Sequence, residues 1–206
     1  MGTLRDEQKQ IARNRIMEAV AGELAERGLV DLSIPDVATR AGVSQRTVYN
    51  YYNSKEGLVA AFEVWAEERL EDLGGRQVEK DLPAMADAIE VNFRLFSEMG
   101  DVSTALARIS AAGGFGAPQL EATSRMQRAR TEAVSRGVER DYGDLDFAQA
   151  AAVTAIIRQI MSFDTWHRLT DDFGIGGVEA GRTAAWVYRL VLDALDNGSV
   201  PFETDS

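Results

Sequence analysis

The residues from Ile34 to Tyr51 constrain the fold of this 206-residue chain more than any other feature. Val37, Ala41, Val43, Val48 and Tyr51 are apolar, while the positions between them are mostly polar. That pattern predicts two short helices crossed at a steep angle, burying the apolar set between themselves and a preceding helix. Ala38 falls at their closest approach, where a larger side chain would push them apart. Gly42 falls at the turn, where a left-handed backbone is cheap only for glycine. Val43 plugs the turn, and Ser44 caps the next helix. In this order and at this spacing, the signals specify a helix-turn-helix.

The rest of the chain reads as helix almost throughout, giving an all-α fold of about nine helices with no convincing strand and no repeat. Thr3-Leu4-Arg5-Asp6 forms a capping box that opens a first helix running to Arg27. Ile16, Ala19, Val20 and Leu24 lie on one face of it, and Gly28 supplies the stop. Ser33-Ile34-Pro35-Asp36 opens the second helix, which ends at Gly42, and Pro35 is tolerable in a first turn. The third helix covers Gln45 to Tyr51, and Ser54 caps a fourth from Lys55 to about Leu73. Amphipathic stretches follow at 82–99, 102–111, 118–141, 145–169 and 178–196. Glycine-containing breaks separate most of them, and the last ends at Asn197-Gly198 with Pro201 beyond.

Composition narrows the chemistry. No cysteine is present and His167 is the single histidine, so thiolate metal sites and histidine relays are excluded. No cofactor or metal site is expected. The beginning of the chain lacks an apolar signal core, and Asp6 stands where a myristoylation motif wants Ser or Thr. No apolar run reaches the roughly 18 residues of a membrane span. A soluble, cytoplasmic protein is expected. The net charge of −11 is unevenly placed: residues 1–55 carry +1 and residues 56–206 carry −12. Any nucleic-acid contact must therefore depend on locally placed cations, not on a general positive field.

Such cations and donors stand on the third helix. Gln45, Arg46, Thr47, Tyr49 and Asn50 are expected to project away from a buried side formed by Val48 and Tyr51. A recognition helix contacts base edges mainly through its N-terminal residues, which favours Gln45, Arg46 and Thr47 as readers. Arginine suits guanine, glutamine suits adenine, and the threonine methyl suits that of thymine. Tyr49 and Asn50 are assigned to phosphates or sugars. Ser33 and Lys55 sit at helix starts, where backbone N–H groups attract phosphate. Arg40 is a further phosphate candidate.

Gly28, Ser33-Ile34, Val37-Ala38, Ala41-Gly42-Val43-Ser44, Thr47-Val48-Tyr49, Tyr51-Tyr52, Ser54-Lys55-Glu56 and Leu58 together resemble the TetR family of bacterial transcriptional repressors. Two positions depart from its pattern: Pro35 stands in the first turn of the second helix, and Arg46 stands where many members carry glycine or alanine. The resemblance implies a ligand-responsive repressor that binds a near-palindromic, double-stranded operator as a homodimer. Residues 1–55 would then be the DNA-binding domain, and residues 56–206 the effector-binding and dimerisation domain.

The second part shows no catalytic constellation, so an enzyme is not expected. Its carboxylates alternate with arginines, as in Arg125, Arg128, Glu132, Arg136 and Glu139, a pattern that suits a solvated helix face. His167 has no partner cluster and reads as structural or exposed. Phe62, Trp65, Phe93, Phe96, Met99, Leu106, Ile109, Met126, Ile157, Met161 and Trp166 concentrate aromatic and methionine side chains on the middle helices. Most are core. The resemblance places an effector among the fourth to eighth helices, so they are also the candidate pocket lining for an apolar or amphipathic small molecule. On the last two long helices, Ala148, Ala152 and Ile156, with Ala184, Val187, Tyr188, Val191 and Leu195, belong to apolar arcs too broad for burial on one side. They are the candidate dimer interface. A competing reading keeps the small-molecule sensor but makes the DNA head vestigial.

Overall fold

A computed structural model describes residues 4–75, 81–112 and 121–203, the side chains of residues 4, 5 and 121–127 excepted. Ten α-helices follow in order: α1 (Leu4–Asp31), α2 (Ile34–Ala41), α3 (Gln45–Tyr51), α4 (Lys55–Asp72), α5 (Met85–Met99), α6 (Asp101–Ala111), α7 (Glu121–Asp141), α8 (Phe147–Ile160), α9 (Phe163–His167) and α10 (Gly177–Asp196). A π-helical turn, Arg168–Asp172, follows α9. Among the described residues there is no strand. The all-α expectation holds, with one helix more than the periodicity suggests.

The extra helix comes from a break inside the stretch expected over 145–169. Met161 closes α8, and the Ser162 hydroxyl accepts the Thr165 N–H at 3.1 Å to start α9. The first helix also differs from expectation, since helical backbone resumes after Gly28 and continues to Asp31. Gly28 itself is non-helical, with φ 79° and ψ −179°. The predicted stop is therefore a break within α1.

The chain divides into two compact units. The first comprises residues 1–69 and 99–123, and the second residues 70–98 and 124–206. The expected head over residues 1–55 thus lies in a unit that also takes in the first part of α4 and α6. In this unit Ile16, Met17, Val20 and Leu24 of α1, Val37 and Ala38 of α2, Val48 of α3, and Leu58, Val59 and Phe62 of α4 are buried. Their removal from water supplies the main drive for packing these helices, of which α2 and α3 are too short to be stable alone. α1 packs on α2 and on α6, and α6 buries Val102, Ser103, Ala105, Leu106, Ala107 and Ile109.

The second unit centres on Tyr188, Phe93, Leu95, Ile89 and Ile157, all fully buried. The Tyr188 hydroxyl donates to the Leu82 carbonyl at 2.6 Å. Burial pushes its pKa above the ordinary tyrosine range, so this donor keeps its proton. A β-carbon on Gly181 would meet Phe93 Cβ at 3.1 Å and Glu90 Cα at 3.2 Å, so α10 lies tightly on α5. α8 begins with a full capping box. The Asp146 carboxylate accepts the Gln149 N–H at 2.9 Å, and the Gln149 side chain accepts the Asp146 N–H at 3.1 Å.

Candidate nucleic-acid interface

The turn between α2 and α3 is built by backbone hydrogen bonds. Gly42 has φ 66° and ψ 34°, and its N–H donates to Thr39 O at 3.2 Å. The Val43 N–H donates to Ala38 O at 3.0 Å. These two bonds close α2 in a Schellman arrangement, which needs the left-handed residue that glycine supplies. Ser44 then caps α3, its hydroxyl accepting the Thr47 N–H at 3.1 Å. Ala38 is buried at the crossing, as its small size requires, and Val43 is half-buried.

On α3, Val48 is fully buried, while Gln45, Arg46, Tyr49 and Asn50 are exposed. Thr47 is half-buried, its hydroxyl 2.8 Å from that of Ser44. One prediction needs correcting. Tyr51 was expected on the buried side, yet it is exposed, with its hydroxyl 3.4 Å from Lys9 O. Tyr52 is buried instead, because it lies one full turn beyond Val48 and donates its N–H to Val48 O at 2.9 Å. The aromatic pair is thus split between surface and core, the ring centroids 6.0 Å apart.

The three flanking candidates all have partners within the chain. The Ser33 hydroxyl accepts the Asp36 N–H at 3.3 Å and donates to Asp36 Oδ2 at 2.6 Å. Lys55 Nζ donates to Val30 O at 3.0 Å. Arg40 turns back onto α1, its Nη2 2.6 Å from Glu26 Oε2 and its Nε 2.9 Å from Glu23 Oε1. The exposed side chains on α3 are Gln45, Arg46, Tyr49, Asn50 and Tyr51: an arginine, two amides and two phenols on one short helix.

The candidate pocket residues divide between the two units. Phe62, Trp65, Met99, Leu106 and Ile109 are buried in the first. Phe62 and Trp65 have ring centroids 6.1 Å apart, and Arg69 lies 5.6 Å over the indole. Phe93, Phe96, Ile157 and Trp166 are buried in the second, where Phe96 stacks 4.0 Å from Phe163 and the Trp166 indole N–H donates to Ser97 Oγ at 3.0 Å. Met161 is half-buried at the end of α8. The side chain of Met126 lies outside the described residues. His167 is half-buried beside Asp171, Nδ1 to Oδ2 3.3 Å. Among the described residues no cluster of His, Cys, Asp or Glu is arranged to hold a metal ion, and no helix is long and apolar enough to cross a membrane.

The candidate interface residues divide in a different way. Ala148 and Ile156 are exposed, and Ala152, Val187 and Val191 are half-buried. Ala184, Tyr188 and Leu195 are core residues of the single chain. Packed within the chain, these three leave little surface for a second copy. The exposed apolar arc of α10 carries Trp186 and Leu190, at 59% and 46% exposure, neither of which the periodicity singled out. Their signal was present as two large apolar side chains four residues apart, one turn of helix.

Known proteins bear on this arrangement. Residues 16–62 match the family model for bacterial regulatory proteins of the tetR family. A segment of 88 residues is 26% identical to the HTH-type transcriptional regulator AlkX of Mycobacterium tuberculosis, and spans 43% of this chain and 42% of that relative, less than half of either. The solved TetR transcription regulator of Haloarcula marismortui is 26% identical, with a TM-score of 0.58 over 89% of this chain and 97% of that one. NalD of Pseudomonas aeruginosa, the secondary repressor of the MexAB-OprM multidrug efflux pump, is 16% identical. It shares the fold at a TM-score of 0.64, over 96% of this chain and all of that one.

Proposed function

Since the chain belongs to the tetR family of bacterial regulatory proteins, we propose that it is a cytoplasmic, ligand-responsive repressor that binds a near-palindromic operator as a homodimer. The observation that carries this reading is the pairing on α3 of a buried Val48 with exposed Gln45, Arg46, Tyr49 and Asn50 behind a closed α2–α3 turn. Gln45 and Arg46 are the base readers. Thr47, tied to its cap, approaches the groove at the helix start. Tyr49 and Asn50 meet phosphate or sugar. Ser33 and Lys55 mark the two helix starts whose backbone N–H groups face phosphate.

Two-fold symmetry would set the reading helices about one DNA turn apart, roughly 34 Å. Residues 1–55 are assigned to DNA, and residues 56–206 to effector and partner. The buried aromatic and methionine side chains favour an apolar or amphipathic effector, and α4, which begins at Lys55 and carries Phe62 and Trp65, links the two functions. An effector releases DNA only by binding the non-operator pose more tightly. Switching from 1:99 to 99:1 needs about 5.5 kcal/mol of differential affinity. No step of this mechanism involves catalysis.

The test uses the full chain and a duplex from upstream of its own gene, followed by fluorescence anisotropy across a salt series. Wild type should bind with a strong salt dependence and prefer this duplex over a scrambled one. Arg46→Ala should lose about 1–3 kcal/mol of that preference, the worth of one bidentate base contact. An unchanged preference in the variant rejects Arg46 as a reader, and absence of salt-dependent binding by wild type rejects the DNA-binding reading itself.

A further inference from the structure

Both ends of α2 are tied to α1 by ion pairs. At its last turn, Arg40 holds Glu23 and Glu26, 17 and 14 residues away. At its first turn, Asp36 Oδ2 lies 3.1 Å from Arg27 Nη1 and also accepts the Ser33 hydroxyl. Glu23 stands between the two arginines. It is 3% exposed, with Oε1 on Arg40 and Oε2 3.6 Å from Arg27 Nε. Burying a carboxylate is costly unless cations pair with it, and here two arginines do. The hydrogen bond from Arg40 holds the Glu26 carboxyl below its ordinary range.

Gly22 makes the clamp possible. A β-carbon there would collide with Arg40 Nη1 and lie 3.1 Å from its Cζ, so the guanidinium, the far end of a flexible side chain, would have to leave the position in which it meets both carboxylates. Arg40 is also two residues from Gly42, the turn that aims α3.

We propose that Arg40, with Glu23, Glu26 and Gly22, is a positioning residue for base reading. It holds α2 on α1, and through the Gly42 turn it sets the register in which Gln45 and Arg46 meet the groove. This inference rests on the DNA-binding reading above. The rival assignment makes Arg40 a phosphate ligand, for which an open cleft of about 280 Å³ lined by Arg15, Glu18, Ala19, Arg40 and Ala41 is at hand.

Gly22→Ala and Arg40→Gln in the full chain separate the two. Operator and scrambled duplexes are titrated across a salt series, well below each variant's melting midpoint. A positioning role predicts that both variants lose about tenfold or more in operator affinity, comparable to a lost base contact. Scrambled-duplex affinity and the salt slope should stay at wild-type values. A phosphate ligand predicts a slope reduced by about 0.9 for Arg40→Gln, equal weakening on both duplexes, and wild-type behaviour for Gly22→Ala. That result overturns the proposal. So does a lowered melting midpoint with an unchanged operator-to-scrambled ratio, which would make the clamp a matter of stability alone. Glu26→Gln removes the exposed arm without stranding a buried charge and should show a smaller loss of the same ratio. Its failure to do so counts against the proposal even if the other two variants fold poorly. Wild type failing to bind either duplex removes the DNA-binding reading and not the clamp's geometry.

Discussion

Trp186→Asp combined with Leu190→Asp should leave the chain monomeric and lower operator affinity by at least about 100-fold, the avidity lost when two linked heads bind singly. Both side chains lie on the outer arc of α10, while Ala184, Ala185, Tyr188 and Leu192 fill its inner arc. The substitutions therefore leave the core intact and place carboxylates on an apolar patch. On α8 the matching surface is Ala148, Ala151, Ala155 and Ile156, all exposed, a low-relief face against which large side chains can lie closely. Monomeric proteins seldom expose large contiguous apolar patches, which makes these two exposed apolar arcs the place to test for an interface. Sedimentation equilibrium reads the mass, and far-ultraviolet circular dichroism should show unchanged helix content. A double variant that stays dimeric would place the interface elsewhere.

Phe96→Ala should destabilise the second unit by about 3–5 kcal/mol, the range for truncating a well-packed phenylalanine. The ring is 4% exposed and contacts three others. Phe163 lies at 4.0 Å, Phe93 at 5.6 Å, and Trp166 edge-on at 6.1 Å and 79°. Aromatic pairs of this kind contribute about 0.5–1.5 kcal/mol beyond the area they bury. The Trp166 indole is fixed by Ser97, whose hydroxyl in turn donates to Phe93 O at 3.3 Å, so the neighbours have little freedom to fill the gap. Urea titration followed by tryptophan emission measures the loss. A value below about 1.5 kcal/mol would mean that the site collapses readily, at odds with this packing.

What could be read from the sequence was local. Helix starts announce themselves because a capping side chain and the N–H it accepts are two or three residues apart, as at Ser33, Ser44 and Ser54. The helix-turn-helix was legible for the same reason, since the Schellman closure at Gly42 uses only Ala38 to Val43. The break after Met161 was hidden because no glycine or proline marks it, only the Ser162 cap. The reversal at Tyr51, and the mixed burial along α10, have another origin. Periodicity shows that a helix has an apolar side, but an apolar arc wider than one neighbour leaves open which part meets the core. The clamp was invisible in principle: Arg40 is polar and sits next to the turn, and nothing near it in the chain reports Glu23 or Gly22.

The glycine under Arg40 also couples the substitution history of two positions. A side chain gained at residue 22 would push the guanidinium aside and loosen its hold on the Glu23 carboxylate. Loss of the arginine alone would leave the same carboxylate without one of its two cations. Neither position can drift by itself, so descendants of this chain should keep the pair or exchange it together with residue 23.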